Sequence, residues 1–236
     1  MSFLRHRLWQ LGLLTSAAMV VAPQATWTAS AVASGKALDF SFTIARLQYD
    51  GGGDWYSDPS ALPNLLAYIG VHTRLRTASK EARVRVDDEE LFSYPYLYLT
   101  GHGNIAFADA EIVRLRRYLE SGGFLHADDN YGMDESFRRE MSRLFPKKQL
   151  VELPPEHGIF HSHFDFPKGL PKIHQHDGGR PQALGLFEGD RLIVLYTYES
   201  DLGDGWEDEH VHGDTDQKRS AALQMGTNIV VWALTH

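Results

Sequence analysis

The chain has 236 residues, 43% of them hydrophobic and 23% charged, so it can bury a proper core and is not disordered by composition. Its net charge of −8 argues against a nucleic-acid partner and against binding to an anionic lipid surface. The absence of cysteine excludes disulfides, thiolate metal sites and a cysteine nucleophile.

Residues 1–33 have the three parts of a secretory signal peptide. Two arginines precede an apolar stretch, and an A-x-A site ends at Ala33. The alternative, a membrane anchor, is disfavoured because Gln10 and Pro23 interrupt a stretch that is short for a bilayer. We expect cleavage after Ala33 and a periplasmic or secreted protein. Losing the two arginines takes the net charge from −8 to −10. Residues 34–236 are expected to form a single domain with no transmembrane span.

Predicted strands and helices alternate along the mature chain. Apolar runs predict strands over residues 40–49, 82–86, 94–100, 124–127, 149–153 and 191–198. Apolar spacing and capping residues predict helices over 63–71, 109–119, 137–144 and 216–234. Residues 154–185 are rich in Pro, Gly and His and predict an irregular segment.

This alternation predicts an α/β three-layer sandwich with a mostly parallel, flavodoxin-like sheet. In such a sheet the ligand lies at the carboxyl ends of the strands, between the first and third strands. The loops Asp50–Trp55 and Gly101–Asn104 end those two strands, and the fourth strand delivers Asp128 and Asp129 to the same edge. The sequence therefore predicts one crevice that gathers these polar residues.

We expect catalysis from four residues near this crevice: His102, Asp128, Asp129 and His157. Adjacent carboxylates repel each other, and a histidine that relays a proton or a bound cation offsets that cost. The alternative for the two aspartates is structural, with Asp129 capping the next helix and Asp128 accepting bonds from loop amides.

The expected ligand is a small molecule or glycan, because aromatic rings beside carboxylates suit a sugar. Packing of those rings against the sheet is the alternative. The residues expected to bind it lie in the strand-end loops: Gly52, Gly53, Asp54, Trp55, Tyr56, Gly101, Gly103, Asn104, Asp201, Trp206 and Glu207.

The histidines leave room for one divalent metal in this crevice. The residues we expect to hold it are His102, Asp128, His157 and His161. Two further pairs, HQH at 174–176 and HVH at 210–212, have a spacing that suits a metal. No HExxH signature accompanies them, so a solvated loop is the favoured interpretation of both pairs.

Five stretches carry a family resemblance: YDGGGDWY (49–56), LTGHG (99–103), GGFLHADDN (122–130), LPPEHGIFHS (153–162) and DLGDGWE (201–207). Together they resemble the bacterial domain-of-unknown-function family 4159 over roughly residues 41–235. The resemblance implies a class I glutamine amidotransferase-like fold, close to the ThuA-like proteins, and no particular activity. Where those amidotransferases have their nucleophilic cysteine, residues 126–130 contain neither Cys nor Ser. Glutamine hydrolysis through a thioester is therefore excluded.

The leading functional interpretation is an exported protein with a polar small-molecule site at the strand ends. Its chemistry would be hydrolytic or carbohydrate-related, with proton transfer through His102 or with help from a metal. The main alternative is a non-catalytic binding or assembly module of the cell envelope. A periplasmic metal-handling protein is a third interpretation, based on the loop histidines. No pattern indicates an oligomeric state.

Overall fold

The computed structural model describes residues 41–236, and the predicted signal peptide (1–33) lies outside the described residues. The strands of this part are β1 (Ala45–Gln48), β2 (Ala82–Arg85), β3 (Tyr96–Leu99), β4 (Phe124–Asp128), β5 (Val151–Glu152), β6 (Gln182–Glu188) and β7 (Arg191–Tyr198). The helices are α1 (Ala61–His72), α2 (Asp109–Glu120), α3 (Asp134–Leu144), α4 (Leu202–Trp206), α5 (Glu209–His212) and α6 (Asp216–Thr235). Two short 3₁₀ helices cover Glu89–Ser93 and Gly158–His161.

The seven strands form one mixed sheet in the order β2-β1-β3-β4-β7-β6-β5. The neighbouring pairs from β2 to β7 are parallel, and β6 and β5 extend the sheet in antiparallel pairs. The predicted α/β architecture with a mostly parallel sheet is thereby confirmed. Because β1 lies between β2 and β3, the loops that follow β1 and β3 leave the same edge side by side.

Two hydrophobic clusters pack against the sheet. One contains Leu97 and Leu99 of β3 with side chains of α2 and α3. The other contains Tyr96 and Tyr98 of the same strand with side chains of α1, α4 and α6. The strand is buried along its whole length, as its continuous apolar run predicts. Within residues 41–236, every helix is too short or too polar to cross a bilayer.

The structure corrects the sequence-based prediction in the second half of the chain. β6 begins at Gln182, inside the segment 154–185 that was predicted to be irregular. It forms a hairpin with β7 through a turn at Gly189, whose φ is +57°. The helices α4 and α5 were not predicted, because four or five residues are too few to show helical periodicity.

His126, in β4, is a fully buried polar residue of this sheet. Its Nδ1 lies 2.9 Å from the Tyr96 hydroxyl, and its Nε2 lies 3.0 Å from Thr197 Oγ1. Burial lowers the pKa of His126 from 6.5 to about 3. In the folded protein this imidazole therefore stays neutral well below the pH at which an unfolded histidine takes up a proton.

We expect His126 to contribute to the acid sensitivity of the fold. Between about pH 6.5 and 3 the unfolded chain binds one more proton at this site, so stability falls as the pH falls. In His126→Gln this loss is absent, and the drop in unfolding free energy from about pH 6.5 to 4.5 should shrink by about 2 kcal/mol. Urea denaturation at several pH values measures it. The exposed His210→Gln should keep the wild-type slope, and equal slopes for wild type and His126→Gln would contradict the prediction.

Candidate functional site

The loops that follow β1 and β3 touch through their backbones. The Gly53 N–H donates to the Asn104 carbonyl oxygen at 3.0 Å. A Cβ on Gly53 would lie 2.9 Å from the His102 carbonyl oxygen, so a side chain does not fit there. Gly101 has φ +137°, and a Cβ there would collide with the Tyr49 hydroxyl. These glycines of the predicted ligand-binding set therefore serve the close approach of the two loops.

Because the two loops lie so close together, the Asp54 side chain contacts His102. One oxygen of Asp54 accepts the backbone N–H of His102, and the other lies 3.0 Å from His102 Nδ1. A carboxylate can only accept, so Nδ1 carries a proton, and in the neutral form of the ring the lone pair is on Nε2. The His102 side chain is 53% exposed, and it lines a pocket of about 510 Å³. We call this pair the Asp54–His102 dyad.

The same pocket gathers imidazoles and carboxylates from distant segments. Besides His102, its walls include Asn130, Tyr131, His174, His176, Asp201 and Asp204. None of the aromatic residues predicted to bind a ligand lines it, and its aromatic ring is that of Tyr131. The Tyr131 ring packs edge-on against the His176 ring at 5.6 Å.

Six residues form what we call the histidine–carboxylate cluster: His174, His176, Asp201, Asp204, His212 and Asp214. His174 Nδ1 lies 2.7 Å from Asp204, and its Nε2 lies 2.9 Å from Asp214. His212 Nε2 lies 3.4 Å from Asp204 Oδ1. Donor atoms of His174, Asp204 and His212 all lie within 4.8 Å of one another. Asp58, Glu207 and His212 form a second group at this spacing.

The charges around the pocket perturb one another strongly. Hydrogen bonds that His174 donates to Asp201 and Asp204 raise its pKa from 6.5 to about 10. Burial favours the neutral form of Asp201, but His174 and His176 outweigh it and lower the Asp201 pKa to about 2. Burial, followed by the neighbouring carboxylates, raises the pKa of Asp58 to about 8. Such opposed shifts within one cleft are typical of functional sites.

Backbone strain is concentrated at the same place. Among the described residues, the non-glycine residues with positive φ are Asp58, Tyr131, Glu199 and Asp201, at +53°, +31°, +56° and +61°. Two of them line the pocket, and the other two form hydrogen bonds with Asn130 and Asp129 at its edge. Each such conformation costs on the order of 1 kcal/mol, and strain of this kind clusters at functional sites.

A family model, described as domain of unknown function DUF4159, matches residues 43–234. The chain belongs to the DUF4159 family. No curated protein matches the chain. The family's description states no activity, so the chemistry of this DUF4159 protein has to be argued from the site itself.

In this DUF4159 protein Asp128 joins β4 to α4. Its Oδ1 accepts from the Thr197 hydroxyl and, at 3.3 Å, from the Leu202 N–H. Its Oδ2 accepts from the Gly203 N–H at 2.6 Å and from the Tyr98 hydroxyl at 3.3 Å. Burial and, after it, Asp201 raise the Asp128 pKa to about 8. The side chain is fully buried and does not line the pocket. Asp128 therefore accepts hydrogen bonds from loop amides, as the structural alternative predicted, and does not have the position predicted for a catalytic residue.

Asp129 contacts His176, which lines the pocket, and the backbone of Glu199. Its Oδ2 accepts the Glu199 N–H at 3.0 Å and lies 3.7 Å from His176 Nδ1. Its Oδ1 is buried and has no hydrogen-bond partner among the described residues. Asp129 therefore reaches the histidine–carboxylate cluster, whereas Asp128 does not.

The structure does not bring together the four residues predicted as metal ligands. His157 accepts the Ile159 N–H and packs against the Trp232 ring at 4.9 Å. His161 pairs with Asp165 and with the Pro155 carbonyl oxygen. Neither lines the pocket of His102, because their segment packs against α6 instead.

Two predicted ligand-binding residues near α4 have structural partners. Trp206 is fully buried, and its Nε1 donates to the Ala222 carbonyl oxygen at 2.8 Å. Its ring therefore has no free face for a sugar. Glu207 is 4% exposed, and its Oε1 accepts from the N–H and the hydroxyl of Ser60, both at 2.9 Å. Both side chains hold α4 in place beside the cluster.

The remaining predicted binding residues lie in the β1 and β3 loops. Tyr56 is 61% exposed and packs edge-on against Trp55, which the Arg83 guanidinium covers at 5.9 Å. Asn104 donates to the Gly51 carbonyl oxygen and so joins the two loops. Gly52 and Gly103, both with positive φ, shape the turns.

Sequence reasoning missed most of the residues that line the pocket. Tyr131 lies two residues after the strand-end acid Asp129, which was the available signal. The pairs His174–His176 and His210–His212 were recognised but interpreted as solvated loops. Their carboxylate partners lie up to 40 residues away in the chain, so no local spacing reveals the cluster.

Proposed function

We propose that this protein is an exported hydrolase that acts on a polar, carbohydrate-related small molecule. The observation that carries the proposal is the Asp54–His102 dyad at a polar pocket whose other walls include two imidazoles, two carboxylates and the Lys218 ammonium. A hydrolase needs a group that takes a proton from water near neutral pH, and a neutral imidazole oriented by a carboxylate is the usual one.

The dyad would work in a simple way. Asp54 accepts from the backbone N–H of His102 with one oxygen and from ring Nδ1 with the other, so His102 Nε2 can accept a proton from an attacking water and return it to the leaving group. A divalent cation in the pocket would polarise the scissile bond. Tyr131, 54% exposed beside buried carboxylates, is suited to stack on a sugar ring.

The finer description of the fold is part of this proposal. The order β2-β1-β3-β4-β7 is that of a flavodoxin-like sheet, to which β6 and β5 add two antiparallel strands. Alternate residues of β3 belong to different hydrophobic clusters, which supports a three-layer, class I glutamine amidotransferase-like arrangement. The absent cysteine argues for a different reaction on that fold. Export is supported by the signal-peptide pattern of residues 1–33.

The test is a hydrolysis assay with matched variants. The panel consists of p-nitrophenyl acetate, p-nitrophenyl glycosides and acetylated oligosaccharides, each with and without added Zn²⁺ or Mn²⁺. We expect turnover of at least one substrate, and His102→Gln should lower kcat by about 100-fold with little change in KM. Asp54→Asn should lower kcat less, because it disturbs only the orientation of the ring. His163→Gln, outside the pocket, should match the wild type.

Two outcomes would remove the proposal. Binding of an oligosaccharide without turnover of any panel member would favour the binding module of the cell envelope. An unchanged kcat in His102→Gln would exclude the dyad from the chemistry even if the protein hydrolyses a substrate.

A further inference from the structure

We infer that His174, Asp204 and His212 bind one divalent cation, and that Zn²⁺ is the ion that fits them best. Two imidazoles and a carboxylate are ligands that Zn²⁺ prefers. These are not the residues that the sequence predicted as ligands, and two of them come from histidine pairs interpreted as solvated. The inference goes beyond the proposed function, because cation binding can be measured in a protein without hydrolytic activity.

The distances already approach those of a metal centre. In a tetrahedral site with bonds of about 2.1 Å, the ligand atoms lie about 3.4 Å apart. Asp204 Oδ1 lies 3.4 Å from His212 Nε2, and Asp204 Oδ2 lies 2.7 Å from His174 Nδ1. All three donors fall within 4.8 Å, so small side-chain rotations suffice to enclose an ion.

Asp214 gives His174 the partner that a metal-bound histidine needs. It accepts from His174 Nε2 at 2.9 Å, and its side chain is only 6% exposed. In the structure both ring nitrogens of His174 face carboxylates, which can only accept, so each nitrogen carries a proton. A bound cation would replace the proton on Nδ1, while Asp214 keeps the proton on Nε2 and so orients Nδ1 towards the metal.

Asp201 is the second, independent observation. Its side chain is 4% exposed and lines the pocket, and its Oδ1 has no hydrogen-bond partner among the described residues. Its Oδ2 lies 3.4 Å from His174 Nδ1, the nitrogen assigned to the metal. A buried carboxylate oxygen without a donor is costly, and a cation at this place would stabilise it. Asp201 is therefore the candidate fourth ligand.

The neighbouring group of Asp58, Glu207 and His212 is less suited to hold the ion. Its two carboxylates already accept protein hydrogen bonds, Glu207 from Ser60 and Asp58 from Asn130. Among the described residues, the carboxylates that pair with His212 are those of Asp204, at 3.4 Å, and Glu207, at 3.8 Å, so the shorter contact is with Asp204. The group with His174 has both the buried carboxylate behind the ring and the unpartnered oxygen.

Calorimetric titration with Zn²⁺ tests the inference on the full chain without a histidine tag, after removal of metals with EDTA. We expect one equivalent of Zn²⁺ to bind. Asp204→Asn and His212→Ala should each raise the Kd by about 100-fold or more, since each removes a ligand. Asp214→Asn should raise it by about 10-fold through loss of ring orientation. The matched control is His210→Ala, an exposed histidine of the same helix α5, which should bind like the wild type.

Two results would overturn the inference: no Zn²⁺ binding by the wild type, or unchanged affinity in His212→Ala. The His212 side chain is 29% exposed on a surface helix, so this variant should fold even if Asp204→Asn does not, and circular dichroism checks both. If the protein binds Zn²⁺ but hydrolyses no substrate, the metal centre is supported and the proposed function is contradicted. If it hydrolyses a substrate but binds no Zn²⁺, the proposed function is supported and the metal centre is contradicted.

Discussion

Replacing Trp206 by alanine should lower the free energy of unfolding by about 4 kcal/mol, as expected for a large aromatic removed from a core. Trp206 is fully buried, with its ring 5.5 Å from the Tyr98 ring and 6.1 Å from the His126 ring. Its Nε1 donates to the carbonyl oxygen of Ala222 in α6. The side chain thus packs α4 between the sheet and α6, and its removal leaves a cavity between these elements.

Urea denaturation followed by far-ultraviolet circular dichroism measures this loss without using tryptophan fluorescence. The matched variant Trp206→Phe keeps most of the volume and loses the indole hydrogen bond, so it should cost about 1–2 kcal/mol. A Trp206→Ala variant as stable as the wild type but impaired in sugar binding would instead support the ligand-stacking role predicted from the sequence.

Replacing Arg46 by methionine should lower the unfolding free energy by about 3–5 kcal/mol, because it removes the buried cation beside Glu81 and leaves that carboxylate with only the exposed Arg83 as its partner. Arg46 is 1% exposed and lies 3.7 Å from Glu81, whose side chain is 6% exposed. Its guanidinium also donates to the carbonyl oxygens of Ser57 and Asp58, at 2.7 and 3.1 Å. Arg46 therefore helps to hold the loop that carries Asp54 and Asp58 against β1.

The single variant loses both the ion pair with Glu81 and the hydrogen bonds to the loop carbonyl oxygens, and the double variant Arg46→Met/Glu81→Gln separates these two causes. It also removes the buried charge of Glu81 that Arg46 no longer neutralises, so it should recover part of the stability that the single variant loses. Arg83→Ala is the matched control, because Arg83 contacts the same Glu81 at 3.2 Å but is 54% exposed. An exposed ion pair of this kind should contribute less than about 1 kcal/mol. Equal losses in Arg46→Met and Arg83→Ala would contradict the argument.

Part of the candidate site was predictable because it follows from strand order alone. Parallel strands end at one edge of a sheet, so the loops after β1 and β3 had to be neighbours once the α/β pattern was recognised. That reasoning selected His102 and Asp54, which form the dyad, and Asp201, which lines the pocket. It could not distinguish a strand-end acid that faces the pocket from one that ties two elements together, as Asp128 does.

The sequence by itself determined the alternation of strands and helices, the strand-end loops and the exclusion of cysteine chemistry. These depend on local periodicity, on turn residues and on composition, all of which are readable along the chain. Only the tertiary structure decided that Trp206 is buried and that His174, Asp204 and His212 meet. The physical reason is that these contacts join segments without regular periodicity, whose positions depend on how α4 packs between the sheet and α6.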